Sequence, residues 1–501
     1  MDRLPHHTDR INLVGLDFGS TTTSALVATA RIAVNCATGR MEFSSPEIVY
    51  RPEPTFTPFD GSRIRLDEVG LLLDGWLCDA KLTRDGIFAG GAIVTGLAAR
   101  QENVLELTSL VERTIGDAVV ATADDPKLES WLAFMGSVSG LSRAMPGRAV
   151  LNLDIGGGTT NPALGCDGNV IATGCHFIGA RHLRFEPGTY RLAGTSEFGR
   201  AVLDDLNIDC KPGEDVPPAA IDRVVTYYVR GLEALATGDG AYFASSLGRL
   251  IAHVPFSFDH GVSEPAITFS GGVGELVYMA VNGEPLPSRT FYGDLGIDLA
   301  RGILASKVLS RDLKTCVPEN KGRATVQGLT LHSTEISGTT LFLPTPTLLP
   351  LRDLPVVASV TGDAGRADLV AALQLAGGSK RGACLQLVWD QDMPSLEQVR
   401  RFGTGLSEAL ADVPMLEAAP LVLLTTANAG KAIGNYATGW QQTHRHLIVI
   451  DEIPVRNAQF VNLGRPRHGV VPVSFYGLSA VRLGAVRLGA VRLGAVQGDP
   501  A

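Results

Sequence analysis

Leu153-Asp154-Ile155-Gly156-Gly157-Gly158-Thr159-Thr160 is an apolar run that ends in an acid and breaks into glycines and hydroxyls. A similar stretch stands near the start of the chain, Leu16-Asp17-Phe18-Gly19-Ser20-Thr21-Thr22. Each predicts a strand, a carboxylate at the strand end and a tight turn. Glycines let backbone N–H groups crowd around phosphate oxygens, and the Ser and Thr hydroxyls add donors. A carboxylate facing those oxygens is repelled unless a divalent cation stands between. Asp17 and Asp154 are therefore candidate Mg²⁺ ligands, mainly through water. One such turn alone reads as an ordinary βα or ββ turn. Two of them, facing each other, would clamp a polyphosphate from both sides.

A third element follows in chain order. Thr268-Phe269-Ser270-Gly271-Gly272-Val273-Gly274-Glu275 reads as a strand entering glycines at a helix start. Such a turn lets a nucleoside lie flat on the backbone, which makes Gly271, Gly272 and Gly274 candidate adenosine contacts.

Working outward, residues 11–18 and 24–34 predict strands, and 45–65 a Pro-rich loop. Helical spacing at 66–82, 98–115 and 217–253 predicts helices. GAIVTG at 91–96 and AVVAT at 118–122 predict strands. Asp124-Asp125-Pro126 opens a helix running to about Gly136, since acids and a proline suit the unpaired N–H groups of a first turn. A Pro- and Gly-rich linker at 283–293 leads to a short helix at 293–306. Beyond 320 the segments ATVQGL, TTLFLP, LPVVASV, ACLQLVW and LVLLTTA are strand candidates, followed by strand-like runs in HRHLIVIDEIPV and GVVPVSFYG. Strands alternating with helical spacings predict an α/β class.

The bulk numbers set limits. A chain of 501 residues is too long for one core, so two to four domains are expected. With 45% apolar and 19% charged residues the composition is globular, and 57 glycines suit many tight turns. Net charge −9 argues against a nucleic-acid groove. Seven scattered cysteines without a CxxC point to a reducing compartment. The start, MDRLPHHTDR, has no secretory apolar region, and no run is long and apolar enough for a membrane span. A cytoplasmic protein is expected, with no nucleic acid and no membrane among its partners.

Several tempting patterns are weaker. Cys166, Cys175 and His176 could suggest a metal site, but small buried hydrophobes are the simpler reading. Ala429-Gly430-Lys431 hints at a P-loop, yet Thr425 stands where glycine is required and Ala432 where Ser or Thr is required. His444 and His446 share a strand face but lack further ligands at a usual spacing. Residues 480–496 repeat a five-residue AVRLG unit that matches neither helix nor strand; it reads as a disordered tail, or as a docking peptide carrying Arg482, Arg487 and Arg492.

The order of the three glycine motifs resembles the actin/Hsp70/sugar-kinase ATPases, whose pattern is phosphate-1, connecting helix, phosphate-2, adenosine motif, second connecting helix. Asp125-Pro126-x-x-Glu129-Ser130-x-x-Ala133-x-x-Gly136 looks like the first connecting helix, and Gly293-Asp294-Leu295-Gly296-x-x-Leu299-Ala300 like the second. The resemblance implies two RNase H-like lobes, at 1–146 and 147–310, with an added C-terminal α/β region at 320–477 and the tail at 478–501. It implies an ATP site with Asp17 and Asp154 on Mg²⁺. Nucleotide contacts are expected from Gly19, Ser20, Thr21, Thr22, Gly156, Gly157, Gly158, Thr159, Thr160, Gly271, Gly272, Gly274 and Asp294. Asp125 or Glu129 would hold the attacking water, with Asp125 favoured because it precedes the proline.

GAIVTGLAAR at 91–100, VLNLDIGGGTTNPAL at 150–164, FSGGVGE at 269–275, RATVQGLTLHSTEISGTT at 323–340 and GVVPV at 469–473 narrow the resemblance. Together they resemble the reactivating factors of ethanolamine ammonia-lyase, over about residues 11–477. Phe18 and Ser20 depart from the first phosphate motif, and the AVRLG tail lies outside the pattern. The resemblance implies a chaperone-like ATPase that, with ATP and Mg²⁺, releases damaged cobalamin from the lyase so that intact adenosylcobalamin can bind. The cobalamin would be the lyase's cofactor, and the lyase subunits the partners. It also brings an ethanolamine-utilisation microcompartment into view as the setting. The alternative on the same fold is a small-molecule, sugar-type kinase, for which Asp154 could serve as base; a filament-forming actin relative is a third, structural possibility.

Overall fold

Residues 10–36, 38–60, 63–116, 119–123, 125–258, 264–391, 393–413, 419–442 and 446–478 are described by a computed structural model. His444 and the AVRLG repeats lie outside these residues.

The chain opens with β1 (Ile11–Phe18), β2 (Thr22–Val34) and β3 (Met41–Tyr50), and the short strands β4 (Thr55–Phe56), β5 (Phe59–Asp60) and β6 (Arg63–Ile64). Next come α1 (Leu66–Asp79), β7 (Ile87–Val94), α2 (Val104–Ile115) and β8 (Val119–Ala123). The main sheet has the order β3-β2-β1-β7-β8, with β1 antiparallel to β2 and parallel to β7. Residues 45–65 were expected to be loop, yet 45–50 belong to β3 and 55–56, 59–60 and 63–64 to short strands. β3 forms because β2 offers it a ladder from Val27 to Val34, which local sequence cannot show.

After α3 (Pro126–Ser137) and α4 (Ser139–Arg143), the plan repeats. Strands β9 (Val150–Ile155), β10 (Thr160–Cys166) and β11 (Asn169–Thr173) form a meander, and β12 (Leu183–Phe185) pairs with β13 (Leu192–Thr195). Helices α5 (Glu197–Asp205), α6 (Pro218–Thr237) and α7 (Ser246–Ile251) precede β14 (Ala266–Ser270), α8 (Gly271–Val281) and α9 (Gly296–Ala305). The second sheet runs β11-β10-β9-β14, with β9 antiparallel to β10 and parallel to β14. This is the first sheet's β3-β2-β1-β7 arrangement over again. The duplicated α/β architecture is that of the actin/Hsp70 ATPase fold. A large apolar cluster from Leu151 and Phe269 to Tyr228 and Ile303 fills the second lobe.

Two sequence expectations fail next. Residues 324–329 were expected as a strand, but α10 (Ala324–His332) is a helix, and it packs on β1, β2, β7 and α3. Val326 joins Leu26 and Ala28, while Leu329 joins Ile93, Leu128 and Leu132. A buried helix is apolar all round, so its 3.6-residue period is lost, and the β-branched Thr325 and Val326 add a strand-like bias. The helix that returns to the first lobe is therefore α10. The helix at 293–305, expected to be the second connector, is α9, which packs on α8 and α6 within the second lobe. The crossing of α3 and α10 depends on Gly136 and Gly328, where a Cβ would overlap the facing backbone of Ala324 and Leu132.

The remaining chain builds one seven-stranded sheet from β15 (Thr334–Ile336), β16 (Leu351–Thr361), β17 (Ala383–Val388), β18 (Leu421–Thr425), β19 (Leu447–Ile450), β20 (Ala458–Leu463) and β21 (Pro472–Leu478). Its order is β15-β21-β20-β16-β17-β18-β19, with β16 to β19 parallel. The crossover helices are α11 (Arg366–Gly377), α12 (Leu396–Asp412) and α13 (Gly430–Ala437). Residues 339–344, also expected as a strand, contribute only the isolated bridge Phe342–Val449. Lys431 lies in α13, where the rejected P-loop would have stood.

Candidate functional site

The two acidic motifs fold as the same hairpin. Gly19 N–H donates to Thr22 O at 3.0 Å, and Gly156 N–H to Thr159 O at 2.9 Å. Asp17 closes β1 opposite Ser24, and Asp154 closes β9 opposite Asn161. In each sheet the neighbouring parallel strand supplies a hydroxyl to the acid. Thr95 Oγ1 donates to Asp17 Oδ1 at 3.2 Å, and Ser270 Oγ to Asp154 Oδ1 at 2.6 Å. Asn152 Nδ2 in turn donates to Ser270 Oγ at 2.8 Å. Thr95 went unread as a partner of Asp17, although the glycine turn at 91–96 was the available signal.

The fold brings the two acids into one electrostatic environment. Burial and then the Asp154 charge push Asp17 up to about 7, against the opposing Thr95 bond. Burial pushes Asp154 up to about 6, opposed by Ser270. The turns themselves meet. A Cβ on Gly158 would stand 2.9 Å from Ser20 Oγ, and one on Gly157 would overlap Thr21 Oγ1. Thr21 Oγ1 is buried without a hydrogen-bond partner. Thr57 Oγ1 braces the first turn by donating to Gly19 O at 2.7 Å.

The third motif sits beside the second acid because β14 pairs with β9, aligning Ser270 with Asp154. Gly271 has φ +77°, and a Cβ there would stand 2.6 Å from Ile155 O, so the turn itself requires glycine. Gly272 differs: nothing lies within 4 Å of a Cβ built on it. A Cβ on Gly274 would stand 2.9 Å from the Phe269 carbonyl carbon.

Arg181 is a neighbour that the sequence did not reveal. Its N–H donates to Gly157 O at 2.6 Å, and its guanidinium lies 4.0 Å from Asp294 and 3.2 Å from Tyr292 O. Asp294 accepts from Gly296 N–H at 2.9 Å. Asp125 and Glu129 stand at the N-terminal turn of α3. Asp125 Oδ1 accepts from Leu128 N–H at 3.1 Å, and Oδ2 from Gly477 N–H at 2.7 Å. Both its oxygens are thus engaged, one capping α3 and one holding the end of β21. Glu129 is 7% exposed. Both acids line a small cavity with Gly96, Arg100, Thr159, Phe177 and His253. Cys175 and His176 are buried, and all seven cysteines are free thiols. Among the described residues no three His, Cys, Asp or Glu side chains are placed to share a metal ion. No helix among them is long and apolar enough to cross a membrane.

Comparison with known proteins agrees over nearly the whole chain. The ethanolamine ammonia-lyase reactivase EutA of Salmonella typhimurium is 30% identical over 496 residues, covering 94% of this chain and 99% of the relative. That of Escherichia coli is 29% identical over 495 residues, with the same coverage. Among solved structures, an exopolyphosphatase-like protein aligns with 64% of this chain and 97% of its own, at 15% identity and a TM-score of 0.40. A sequence model of the family described as "Ethanolamine utilisation protein EutA" matches residues 9–479, and the chain belongs to that family.

Proposed function

We propose that this chain binds Mg²⁺–ATP between its two acidic hairpins and uses it to release damaged cobalamin from ethanolamine ammonia-lyase, so that intact adenosylcobalamin can enter. The observation that carries the nucleotide reading is the duplicated hairpin, with both acids buried and Asp154 close enough that its charge raises Asp17's cost of ionisation. The partner follows from the names of the two relatives. The working place is the cytoplasm, including any microcompartment that houses the lyase.

The residues present suit the nucleotide and its metal. Thr21 Oγ1 is an unpaired buried hydroxyl at the phosphate turn, and Gly272 leaves open space at the α8 N-terminus. Asp17 and Asp154 would hold the hydrated cation. Backbone N–H groups of residues 19–22 and 156–160 would receive the phosphates, and Gly271 and Gly272 the adenosine. Bound Mg²⁺ would neutralise phosphate charge and favour attack on the terminal phosphoryl group. Asp294 would steady Arg181 beside the second turn. Glu129, which lines the cavity beside Gly96 and Thr159, would orient the attacking water, while Asp125 caps α3 and holds Gly477.

The test is recovery of deaminase activity. Lyase inactivated with cyanocobalamin is mixed with this protein, ATP, Mg²⁺ and adenosylcobalamin. Recovery that needs all of these supports the proposal. No recovery, or ATP turnover stimulated by sugars instead, would overturn it in favour of a kinase.

A further inference from the structure

The 3-10 turn Gly96–Arg100 follows β7 and so belongs to the first lobe by chain order. It is wedged against both phosphate turns. Leu97 N–H donates to Ser20 Oγ at 2.6 Å, and a Cβ on Gly158 would stand 2.9 Å from Leu97 Cγ. Its last residue then reaches into the second lobe. The Arg100 guanidinium carbon lies 4.7 Å from the Phe177 ring centroid and 5.4 Å from that of Phe198. Those two rings stack at 3.8 Å and 15°. Arg100 Nη1 also meets Glu197 Oε1 at 3.2 Å.

The ion pair alone would mean little, since both partners are exposed to water. A cation above a stacked aromatic pair is a stronger contact. It is also the wall of the cavity that holds Glu129 and Thr159. We propose that Arg100 is a positioning residue, clamping the 3-10 turn across the cleft so that the phosphate end of the nucleotide site closes only when the lobes are together. This rests on the nucleotide reading given above.

Ser20 couples the turns to the clamp. A polyphosphate entering between the turns has to part Thr21 from Gly157, and Ser20 moves with Thr21. Leu97, bonded to Ser20, carries the movement to Arg100. The clamp resists that opening, so it should slow the escape of nucleotide and keep bulk water from the Glu129 cavity.

The test is the release rate of a fluorescent mant-ADP, chased with excess ATP in Mg²⁺ buffer. Arg100→Ala and Phe177→Leu should each speed release about threefold, the size of effect one water-exposed cation–π contact supplies. Arg100→Lys, which keeps a cation over the rings, should fall between them and wild type. Unchanged release in Arg100→Ala and Phe177→Leu overturns the clamp. So does equal acceleration by Gly434→Val, which crowds Phe342 in the C-terminal region, away from the cavity. If wild type itself fails to bind mant-ADP, it is the nucleotide reading that falls.

Discussion

Asp17 and Asp154 make pH a probe of the site. Unfolded, each ionises near the ordinary aspartate value of 3.8; folded, Asp17 keeps its proton up to about 7 and Asp154 up to about 6. Between these values the folded state binds more protons than the unfolded one. The stability they contribute is full below the unfolded value and is lost as pH rises through 6 and 7. Asp17→Asn removes one of these titrations. Its nucleotide-free melting temperature should therefore fall less steeply than wild type's from about pH 4.5 to about pH 7.5. An identical slope would mean that burial does not hold the Asp17 proton through this range. Gly272 provides a second probe. With nothing near its Cβ position, Gly272→Val should leave the melting temperature unchanged yet weaken ATP binding by calorimetry, because the added bulk points into open space. Normal affinity would put the nucleoside elsewhere.

α3 shows how one short segment carries two tasks. Asp125 caps its first turn and grips β21, while Glu129 faces the cavity one turn on. Asp125→Asn keeps a carbonyl for Leu128 but cannot accept from Gly477 with its NH₂, so about 1 kcal/mol of stability should go while turnover holds. Glu129→Gln should do the reverse: ATP hydrolysis down by about 10²-fold with binding intact. If steady-state turnover instead collapses in Asp125→Asn and survives in Glu129→Gln, the roles are exchanged. Further along, α3 crosses α10 backbone to backbone at Gly136 and Gly328. Gly328→Val should cost on the order of 3 kcal/mol in denaturant unfolding, since neither helix can retreat from the sheet below. A surface helix glycine behaves oppositely: Gly70→Ala in α1, with nothing near its Cβ position, should gain up to about 1 kcal/mol.

At the scale of the whole molecule, the C-terminal sheet is tied to the first lobe rather than left beside it. Met41 N–H donates to Glu452 Oε2 at 3.0 Å, and Arg467 Nη1 donates to Ile87 O at 2.9 Å. Together with Asp125 and Gly477, these bonds would carry any rotation of the first lobe into the seven-stranded sheet. A ligand held between two lobes stabilises the closed pair by mass action. Mg²⁺–ATP at a hundredfold excess over its Kd should add about 2.7 kcal/mol to stability in thermal unfolding. Asp17→Ala and Asp154→Ala should lose most of that gain, and a full gain in both would move the metal away from these acids.

The sequence by itself determined the local chemistry. A strand ending in an acid and then glycines is legible wherever it occurs, because strand period, turn residues and phosphate donors are all short-range properties. That is how β1, β9, β14 and their turns could be read without a structure. What only the tertiary structure decided lies between segments. The hydroxyls of Thr95 and Ser270 reach the acids because parallel pairing brings β7 beside β1 and β14 beside β9. Arg181 reaches the second turn across a loop, with no motif to announce it. The sequence hides the returning helix: residues 324–329 look like a strand, and 293–300 look like the connector in its place. A helix buried on every side shows no amphipathic period, and which helix crosses back depends on which sheet has an open face to cover.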